Sequence, residues 1–361
     1  MFRPTQMPRS KWLTLLLAAP LLAACNQRED RSLPHQEIVV YSSVDDDYAR
    51  PLCERFSQAT KIEVKLVPDS EETKSTGLLN RLIAEKNRPQ ADVFWSGDPM
   101  RAAVLQAKDV AAPYRSPQCK GLPADLTQPQ QLFTPFSARA RVIIFNRNLL
   151  AGKKSPTSIF DLVDARFRGA GCLANPLFGT TSMHAAALFS VLGEQSAKDY
   201  FRRLTENDIR MLSSNGEVRR RVSAGDFALG LTDSDDANVA LKDGAPVGFV
   251  LPDQDGMGTL LVPNAAVLIA RGPNPDNARK FIDFLISPES ERWLADSDAA
   301  QIPLHEGLPA PKFFNRPLSD IRLMKVSYEP LAAQLEQLSG GFLEQWVQEQ
   351  NSLPPRQRTD R

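Results

Sequence analysis

Apolar residues follow two different periods along the first hundred residues of the chain. Short, mostly apolar runs of strand length occur at residues 38–41, 62–67 and 91–95. After the first run, Tyr48, Leu52 and Phe56 recur four positions apart, which is typical of one face of a helix. Residues 78–83 repeat this helical spacing before the third run. Strand, helix, strand, helix, strand predicts a parallel sheet that is covered on both faces.

The same alternation continues through the second half of the chain. We expect strands at 141–146, 172–174, 209–212, 227–231, 247–251 and 265–270. We expect helices at 183–192, 197–204, 217–224, 237–242, 276–286, 289–295 and, as one long tail helix, about 328–348. The predicted fold class is therefore α/β, with a second mainly parallel sheet flanked by helices.

Several loops that follow predicted strands are rich in hydroxyl and carboxylate groups. They comprise residues 42–47, 68–76, 96–99, 176–182 and 232–236. Ligands of open α/β sheets bind at the carboxyl ends of the strands. Two lobes that face each other would therefore bring these loops together around one cleft.

The chain begins with a basic and then apolar segment that ends in Leu-Ala-Ala-Cys. Basic residues precede the apolar run 12–22, and Cys25 follows two alanines. This pattern indicates a secretory signal, and a run of about 11 residues is too short to span a bilayer. The cysteine makes the segment resemble a bacterial lipoprotein signal, so we expect a signal peptide at 1–24, lipidation at Cys25 and a tether over 25–36. An ordinary signal peptide or a transmembrane helix is the alternative.

Charge and cysteine content narrow the function further. Without residues 1–24 the chain has 40 Lys and Arg against 43 Asp and Glu, so a concentrated basic surface for nucleic acid is not expected. The three histidines are scattered, which argues against a zinc site. Cys119 and Cys172 could form a disulfide, but their spacing does not decide it. Residues 351–361 are polar and proline-rich, and we expect them to be disordered.

Two carboxylate clusters are the sharpest candidates for chemistry. Residues 45–47 are three consecutive aspartates at a predicted helix start, where they could cap the helix or contact a ligand. Asp233, Asp235 and Asp236 follow a predicted strand. Two carboxylates about 4 Å apart repel by about 4 kcal/mol at an effective dielectric of 20. Such crowding requires a cation, a cluster of donors or solvent, and a solvated capping loop is the alternative.

Hydroxyl-rich segments before two predicted helices could bind an anion. Residues 180–182 precede one helix, and Thr76 precedes another, with Glu72 in the loop before it. Backbone donors and hydroxyls at a helix N-terminus attract anions, although plain capping explains the same residues. Arg141, at the start of a strand, could neutralise an anion or one of the aspartates. His184 is expected to be packed or on the surface and not to be a ligand.

Several sequence strings occur in an order that is typical of one family. They are Tyr41-Ser42-Ser43, TKIEVKLV, ADVFW, ARARVIIFN, PDQDGMGT and NARKFIDFLISPESERWLA. Together, over about residues 37–305, they resemble the periplasmic substrate-binding proteins of bacterial ABC importers, in the ferric-iron-binding branch. Ferric-binding members have two adjacent tyrosines where this chain has Asp235-Asp236.

The resemblance implies a type II periplasmic-binding-protein fold, with two lobes joined by crossing hinge strands that close on a solute. Lobe 1 is expected at 37–137 and 265–310, lobe 2 at 138–264, and a helical tail at 311–350. The closed form would dock on a membrane permease. The importer's ATPase would be a separate subunit, because the chain has no Gly-x-x-x-x-Gly-Lys motif.

We therefore expect a monomeric, non-enzymatic solute-binding lipoprotein on the periplasmic face of a bacterial membrane. The expected cargo is ferric iron or another hard cation, with no resident cofactor. A phosphorylated or other anionic organic solute is the alternative, a sensor role is not separable from transport, and a lipid-anchored hydrolase is a weaker reading. The predicted solute-binding residues are Tyr41, Ser42, Ser43, Asp45, Asp46, Glu72, Thr76, Ser96, Asp98, Arg141, Thr180, Thr181, Ser182, Asp233, Asp235 and Asp236. Among these, Asp235, Asp236 and Tyr41 are the predicted metal ligands.

Overall fold

The computed structural model describes residues 36–69, 76–124, 126–127, 132–314 and 318–353. The predicted signal peptide, Cys25, Glu72 and most of the predicted disordered tail lie outside these residues. The strands are β1 (Glu37–Ser42), β2 (Glu63–Pro68), β3 (Val93–Ser96), β4 (Phe133–Asn146), β5 (Gly171–Ala174), β6 (Arg210–Leu212), β7 (Leu229–Asp233), β8 (Val247–Val250) and β9 (Leu261–Leu268). The α-helices are α1 (Asp46–Thr60), α2 (Thr76–Ala84), α3 (Pro99–Ala107), α4 (Gly179–Leu192), α5 (Glu194–Glu206), α6 (Asn215–Ser223), α7 (Ser234–Lys242), α8 (Pro275–Leu285), α9 (Pro288–Asp296), α10 (Tyr328–Ser339) and α11 (Phe342–Ser352).

The strands lie in the order β2-β1-β3-β9-β4-β7-β5-β6, with β8 also paired to β4. At one end β1 pairs in parallel with β2 and β3, and at the other end β5 pairs in parallel with β6 and β7. The antiparallel strands β9 and β4 join these two parallel groups. The predicted arrangement of two mainly parallel lobes with crossing strands between them is confirmed.

The long strand β4 passes from one lobe to the other. Its first part, residues 133–140, pairs with β9, and residues 141–146 pair with β7 and β8. Its register shifts between Phe136 and Ala138, and Ser137 between them has a left-handed φ of 32°. The buried carboxylate of Glu291 on α9 accepts a hydrogen bond from the backbone N–H of Ser137 and thereby holds this bulge. The sequence pattern predicted only the second part of the strand.

Five helices begin at the strand ends that face the middle of the molecule. The helices α1, α3, α4, α6 and α7 follow β1, β3, β5, β6 and β7 respectively. Two of these starts have side-chain caps: Asp98 accepts from the backbone N–H groups of Met100 and Arg101, and Ser214 accepts from that of Glu217. Because the first turn of a helix leaves N–H groups without helical partners, these starts direct backbone donors to one region.

Two helix starts differ from the sequence prediction in a way that matters for the site. The helix α4 begins at Gly179 and α7 begins at Ser234, four and three residues before the predicted starts at 183 and 237. The hydroxyl residues 180–182 and the pair Asp235-Asp236 therefore lie inside first helical turns and not in the loops before them.

The C-terminal tail is also different from the prediction. Instead of one long helix, α10 and α11 are separated at Gly340–Gly341, because glycine is unfavourable inside a helix. The helix α10 packs against α3 of the first lobe and α4 of the second. Trp346 on α11 donates to the backbone oxygen of Phe201 at 2.9 Å. The tail thus packs against both lobes.

Three smaller expectations are corrected or narrowed. Cys53, Cys119 and Cys172 are all free, so the disulfide between Cys119 and Cys172 that the sequence left open is not formed. The helix α11 continues to Ser352, into the segment that was expected to be disordered. Within the described part of the chain, no helix has the length and apolar character needed to cross a membrane.

The packing of α10 predicts a large effect of cavity formation. Leu331 has no exposed surface, so Leu331→Ala should lower the free energy of unfolding by about 2–5 kcal/mol, as measured by urea denaturation. Leu149 is 42% exposed, and Leu149→Ala should change stability by less than about 0.5 kcal/mol. Equal effects of the two substitutions would contradict the packing of α10 between the lobes.

Candidate functional site

A cavity of about 560 Å³ lies where helix starts from both lobes meet. From the first lobe it is lined by Ser43, Asp45, Asp47, Tyr48, Gly97 and Asp98. From the second lobe and β4 it is lined by Arg139, Ala174, Asn175, Phe178, Gly179, Thr180, Thr181, Ser213, Ser214, Asn215, Gly216, Arg219, Arg220, Asp233, Asp235, Asp236 and Val239. Most of these residues have polar side chains, and six of the side chains carry a carboxylate, so the cavity suits a charged or strongly polar ligand.

A buried ion pair forms the base of the cavity. Arg141 on β4 is fully buried, and its Nη1 lies 2.7 Å from Oδ1 of Asp233 on β7. The second oxygen, Oδ2, accepts from Thr180 at 2.6 Å and from Asn215 at 3.2 Å. Burial alone would raise the pKa of Asp233, but Arg141 and Arg139 hold this pKa below its ordinary value. Asp233 is therefore an ionised and fully bonded carboxylate.

The two threonines of α4 belong to the same network. The Thr180 hydroxyl also accepts from Arg141 at 3.1 Å and from Asn215 at 2.8 Å, which uses its bonding capacity. The Thr181 hydroxyl donates to Asn215 at 3.2 Å. Both hydroxyls are thus engaged with the ion pair and with Asn215. The donors that α4 can offer a ligand are therefore the backbone N–H groups of its first turn.

The acidic pair on α7 has strongly raised pKa values. Burial raises the pKa of Asp235 to about 8, and neighbouring aspartates add to this while Arg139 acts against it. Burial and Asp233 raise the pKa of Asp236 to about 6, although Thr232 donates to its Oδ2 at 2.8 Å. Ligand atoms of Asp233, Asp235 and Asp236 all lie within 4.8 Å of one another, a spacing that could hold a cation.

Tyr48 is the tyrosine that the structure places in the cavity. Its pKa is raised by burial and by the carboxylates of Asp235 and Asp45. Tyr41, the predicted ligand, is buried outside the cavity, where its hydroxyl lies 3.1 Å from Glu85 and its ring stacks on Arg81. The prediction that Tyr41 joins the α7 aspartates as a metal ligand is therefore corrected. The sequence signal for Tyr48 was its place in the first turn of α1, directly after the three aspartates.

The predicted site residues fall into three groups. Eight line the cavity: Ser43, Asp45, Asp98, Thr180, Thr181, Asp233, Asp235 and Asp236. Five are buried and do not line it: Tyr41, Ser42, Ser96, Arg141 and Ser182. Thr76 only begins α2, and Asp46 pairs with Arg50 at 2.7 Å, so neither lines the cavity. Glu72 lies outside the described residues.

The buried hydroxyls of the second group have local partners. Ser42 accepts from the N–H of Val44, Ser96 donates to the backbone oxygen of Asp98, and Ser182 donates to that of Gly179. Asp45 makes no capping hydrogen bond to α1, whereas Asp46 and Asp47 lie in the first turn of this helix, where acidic side chains are favourable. Ser43 instead accepts from the N–H of Gly97 at 2.9 Å, which ties together two loops of the first lobe.

Sequence reasoning missed the arginines that line the cavity. Arg219 on α6 lies 3.9 Å from Oδ1 of Asp236, and Arg220 lies exposed beside it. Arg139 on β4 is buried next to Asp235. A signal for Arg139 was present, because residues two apart in a strand share a face and Arg141 had been singled out. The arginines of α6 gave no such signal within an apparently solvated helix.

A two-lobed α/β fold whose helix starts surround a polar cavity defines a protein that binds a small solute between its lobes. Residues 88–332 match the family described as bacterial extracellular solute-binding protein, and the chain belongs to this family.

Two curated relatives match most of the chain. The chain is 27% identical over 319 residues to "Iron uptake protein A1" of Synechocystis sp., covering 83% of this chain and 86% of that protein. It is 25% identical over 261 residues to a "Putative 2-aminoethylphosphonate-binding periplasmic protein" of Salmonella typhimurium, covering 70% of this chain and 73% of that protein.

Solved structures show the same fold at lower identity. Iron-bound HitA from Pseudomonas aeruginosa superposes with a TM-score of 0.75 at 19% identity, covering 84% of this chain and 98% of HitA. AfuA from Actinobacillus pleuropneumoniae, with exogenous fructose-6-phosphate bound, superposes with a TM-score of 0.74 at 22% identity, covering 88% and 99%. The predicted type II periplasmic-binding-protein fold is confirmed.

We expect the stability of the fold to depend strongly on the negative charge of Asp233. Asp233→Asn leaves the guanidinium of Arg141 buried without its counter-ion, so the free energy of unfolding should fall by about 3–5 kcal/mol. Urea denaturation measures this. Asp276→Asn, which removes an 88% exposed partner of Arg279, should change stability by less than about 1 kcal/mol. A loss of similar size for both variants would contradict the role of the buried pair.

The raised pKa values of the α7 aspartates predict how stability depends on pH. An unfolded aspartic acid titrates near pH ~3.9. Between this value and about 8, the folded, unliganded protein keeps a proton on Asp235 that the unfolded chain has lost. Folding stability should therefore fall as pH rises across this interval, by up to about 1.4 kcal/mol per pH unit for this group.

The measurement compares urea denaturation at pH 5 and pH 8 for the native chain and for Asp235→Asn. The substitution removes the titrating group, so the loss of stability on going to pH 8 should be smaller in the variant. An equal loss in both proteins would show that Asp235 is already ionised at pH 5.

Proposed function

We propose that this protein is the extracytoplasmic solute-binding component of a bacterial ABC importer and has no catalytic activity. Its family membership and the interlobe position of the cavity support this. The lobe boundaries that fit the strand pairing are 37–137 with 265–310 for lobe 1 and 138–264 for lobe 2, since β4 and β9 carry the chain between them. The lobes would close on the cargo, and the closed form would dock on the permease with its separate ATPase.

The observation that carries the cargo proposal is the pair Asp235-Asp236, whose ligand oxygens lie within 4.8 Å of each other and of Asp233. Burial and the neighbouring aspartates raise the pKa values of both groups, although Arg139 lies 3.8 Å from Asp235 and Arg219 lies 3.9 Å from Asp236. A cation at this position would ionise both groups and would gain two hard oxygen ligands. We therefore propose a hard cation, with ferric iron first, as the cargo. The relative named as an iron uptake protein favours this assignment.

The rest of the cavity favours a cation that is accompanied by an anion. A volume of about 560 Å³ is far larger than a single ion. The first turns of α4 and α6 direct backbone N–H groups into it, and Arg219 and Arg220 line it beside them. These donors would bind the oxygens of a carboxylate or phosphate that also ligates the metal.

An anionic organic solute is the second candidate. The same helix starts and arginines form a site for a phosphate or phosphonate group, with the α7 aspartates available for a cationic or hydroxyl group on the same molecule. The relative named for 2-aminoethylphosphonate and the AfuA structure with fructose-6-phosphate favour this candidate.

The location of the protein follows from the same proposal. We place it on the periplasmic side of a bacterial membrane, with its signal peptide removed and a lipid on Cys25. More than one acyl chain would hold a domain of this size firmly at the surface, since each buried methylene contributes about 0.8 kcal/mol. A monomer is sufficient for this function, because the cavity is built from one chain.

Calorimetric titration of the purified domain tests the cargo. We expect saturable binding of ferric citrate, and a loss of at least about tenfold in affinity for the double variant Asp235→Asn/Asp236→Asn, because the charged oxygen ligands are removed. Asp276→Asn removes one exposed carboxylate outside the cavity, serves as the control and should bind as the native chain does.

The comparison ligands are calcium chloride, 2-aminoethylphosphonate and fructose-6-phosphate. Binding of a phosphorylated or phosphonate ligand without any binding of ferric citrate would replace the hard cation with the second candidate. Turnover of an ester, phosphate or glycoside substrate that is lost in Asp235→Asn would contradict the non-enzymatic assignment.

A further inference from the structure

Arg139 is a buried cation that lines the cavity from the crossing strand β4. Its residue is only 6% exposed. Its Nη2 donates to the backbone oxygen of Gly97 in the first lobe, and its Nη1 lies 3.8 Å from Oδ2 of Asp235 in the second lobe. Among the described residues, its Nε has no hydrogen-bond partner. The guanidinium therefore contacts both lobes, although its Nε is buried away from the cavity.

The contact between Arg139 and Asp235 differs from the ion pair below it. Arg141 and Asp233 are 2.7 Å apart and hydrogen-bonded, whereas 3.8 Å is too long for a hydrogen bond. Arg139 thus attracts Asp235 electrostatically but leaves Oδ2 able to bind another group. A side chain at position 97 would crowd this arrangement, because a Cβ there would lie 3.3 Å from Nη2 of Arg139.

The charges around Arg139 are those that a cation in the cavity would also meet. Burial acts to lower the pKa of Arg139, but Asp235, Asp233, Asp45 and Asp98 raise it overall. Like charges that share a buried site repel each other strongly, because little solvent screens them. A cation that binds at Asp235 must therefore bind beside Arg139.

We infer that Arg139 determines cargo specificity as an internal counter-cation, which weakens the binding of a bare hard cation at Asp235 and Asp236 and favours a cation that carries its own anion. The anion would offset the repulsion and would accept hydrogen bonds from the guanidinium. The inference rests on the proposed function, because it concerns the same cavity and the same class of cargo.

The test compares two probes on the purified domain. Terbium(III) chloride in a non-coordinating buffer is the bare hard cation, and ferric citrate is the cation with an anion. In Arg139→Gln we expect terbium affinity to rise by about tenfold or more and ferric citrate affinity to fall by about tenfold. A residue that only supports the structure would weaken both probes together, so effects of opposite sign identify the specificity role.

Three further variants keep the test decisive if Arg139→Gln folds poorly. Arg139→Lys keeps the charge and should leave terbium affinity within about threefold of the native value. Asp235→Asn should lower terbium affinity, because it removes the carboxylate while Arg139 stays. Arg202→Gln removes an equally charged, 61% exposed arginine outside the cavity and should change neither probe.

The outcomes separate the inference from the proposed function. Ferric citrate binding that is unchanged in Arg139→Gln would leave the proposed function standing and overturn the inference. Equal losses for both probes would also overturn it. Terbium binding that appears only in Arg139→Gln would support it strongly. Failure of both probes to bind the native chain and Arg139→Gln would overturn the inference together with the hard-cation cargo.

Discussion

The ion pair between Arg141 and Asp233 is the interaction on which the site depends. Burying a guanidinium and a carboxylate is costly unless each is paired and hydrogen-bonded. Here the pair is 2.7 Å apart, and Thr180 and Asn215 add hydrogen bonds to both partners, while Nε of Arg141 has no partner among the described residues. These four residues come from β4, β7, α4 and α6. This network therefore holds two strands and the starts of two helices together at the base of the cavity.

This network also decides which carboxylates are left for a ligand. Asp233 is already paired with Arg141, so the second-lobe carboxylates left for a cargo are Asp235 and Asp236 at the start of α7. Helix starts favour negative charge, which lowers the cost of placing two aspartates there. The starts of α4 and α6 also line the cavity, and Arg219 of α6 lies 3.9 Å from Asp236. Acidic groups and groups that could bind an anion are therefore close neighbours in the cavity, and Arg139 lies beside Asp235.

Much of the fold was predictable, because its strands and helices have clear periods. The parallel alternation of the first lobe was confirmed, with strand boundaries within two residues of the predicted ones. The first half of β4 was not predicted, because Pro135 and small residues interrupt its apolar run. The start of α4 at Gly179 was not predicted, because glycine is typical of turns, and this residue indeed has a positive φ of 53°. Half of the predicted site residues line the cavity, since strand ends in this fold meet at one place.

By itself the sequence determined the fold class, the loops at the strand ends and the acidic character of the segment after β7, because these follow from local periodicity and composition. Only the tertiary structure decided which of these groups meet a ligand. The bond from Thr180 to Asp233 joins residues 53 positions apart, and the pair Arg141–Asp233 joins residues 92 apart. Such partners are brought together by sheet order and by strand crossing, which no local pattern records. The order and crossing of the strands also explain why Tyr41 is buried outside the cavity, why Tyr48 lines it and why Arg139 lies beside Asp235.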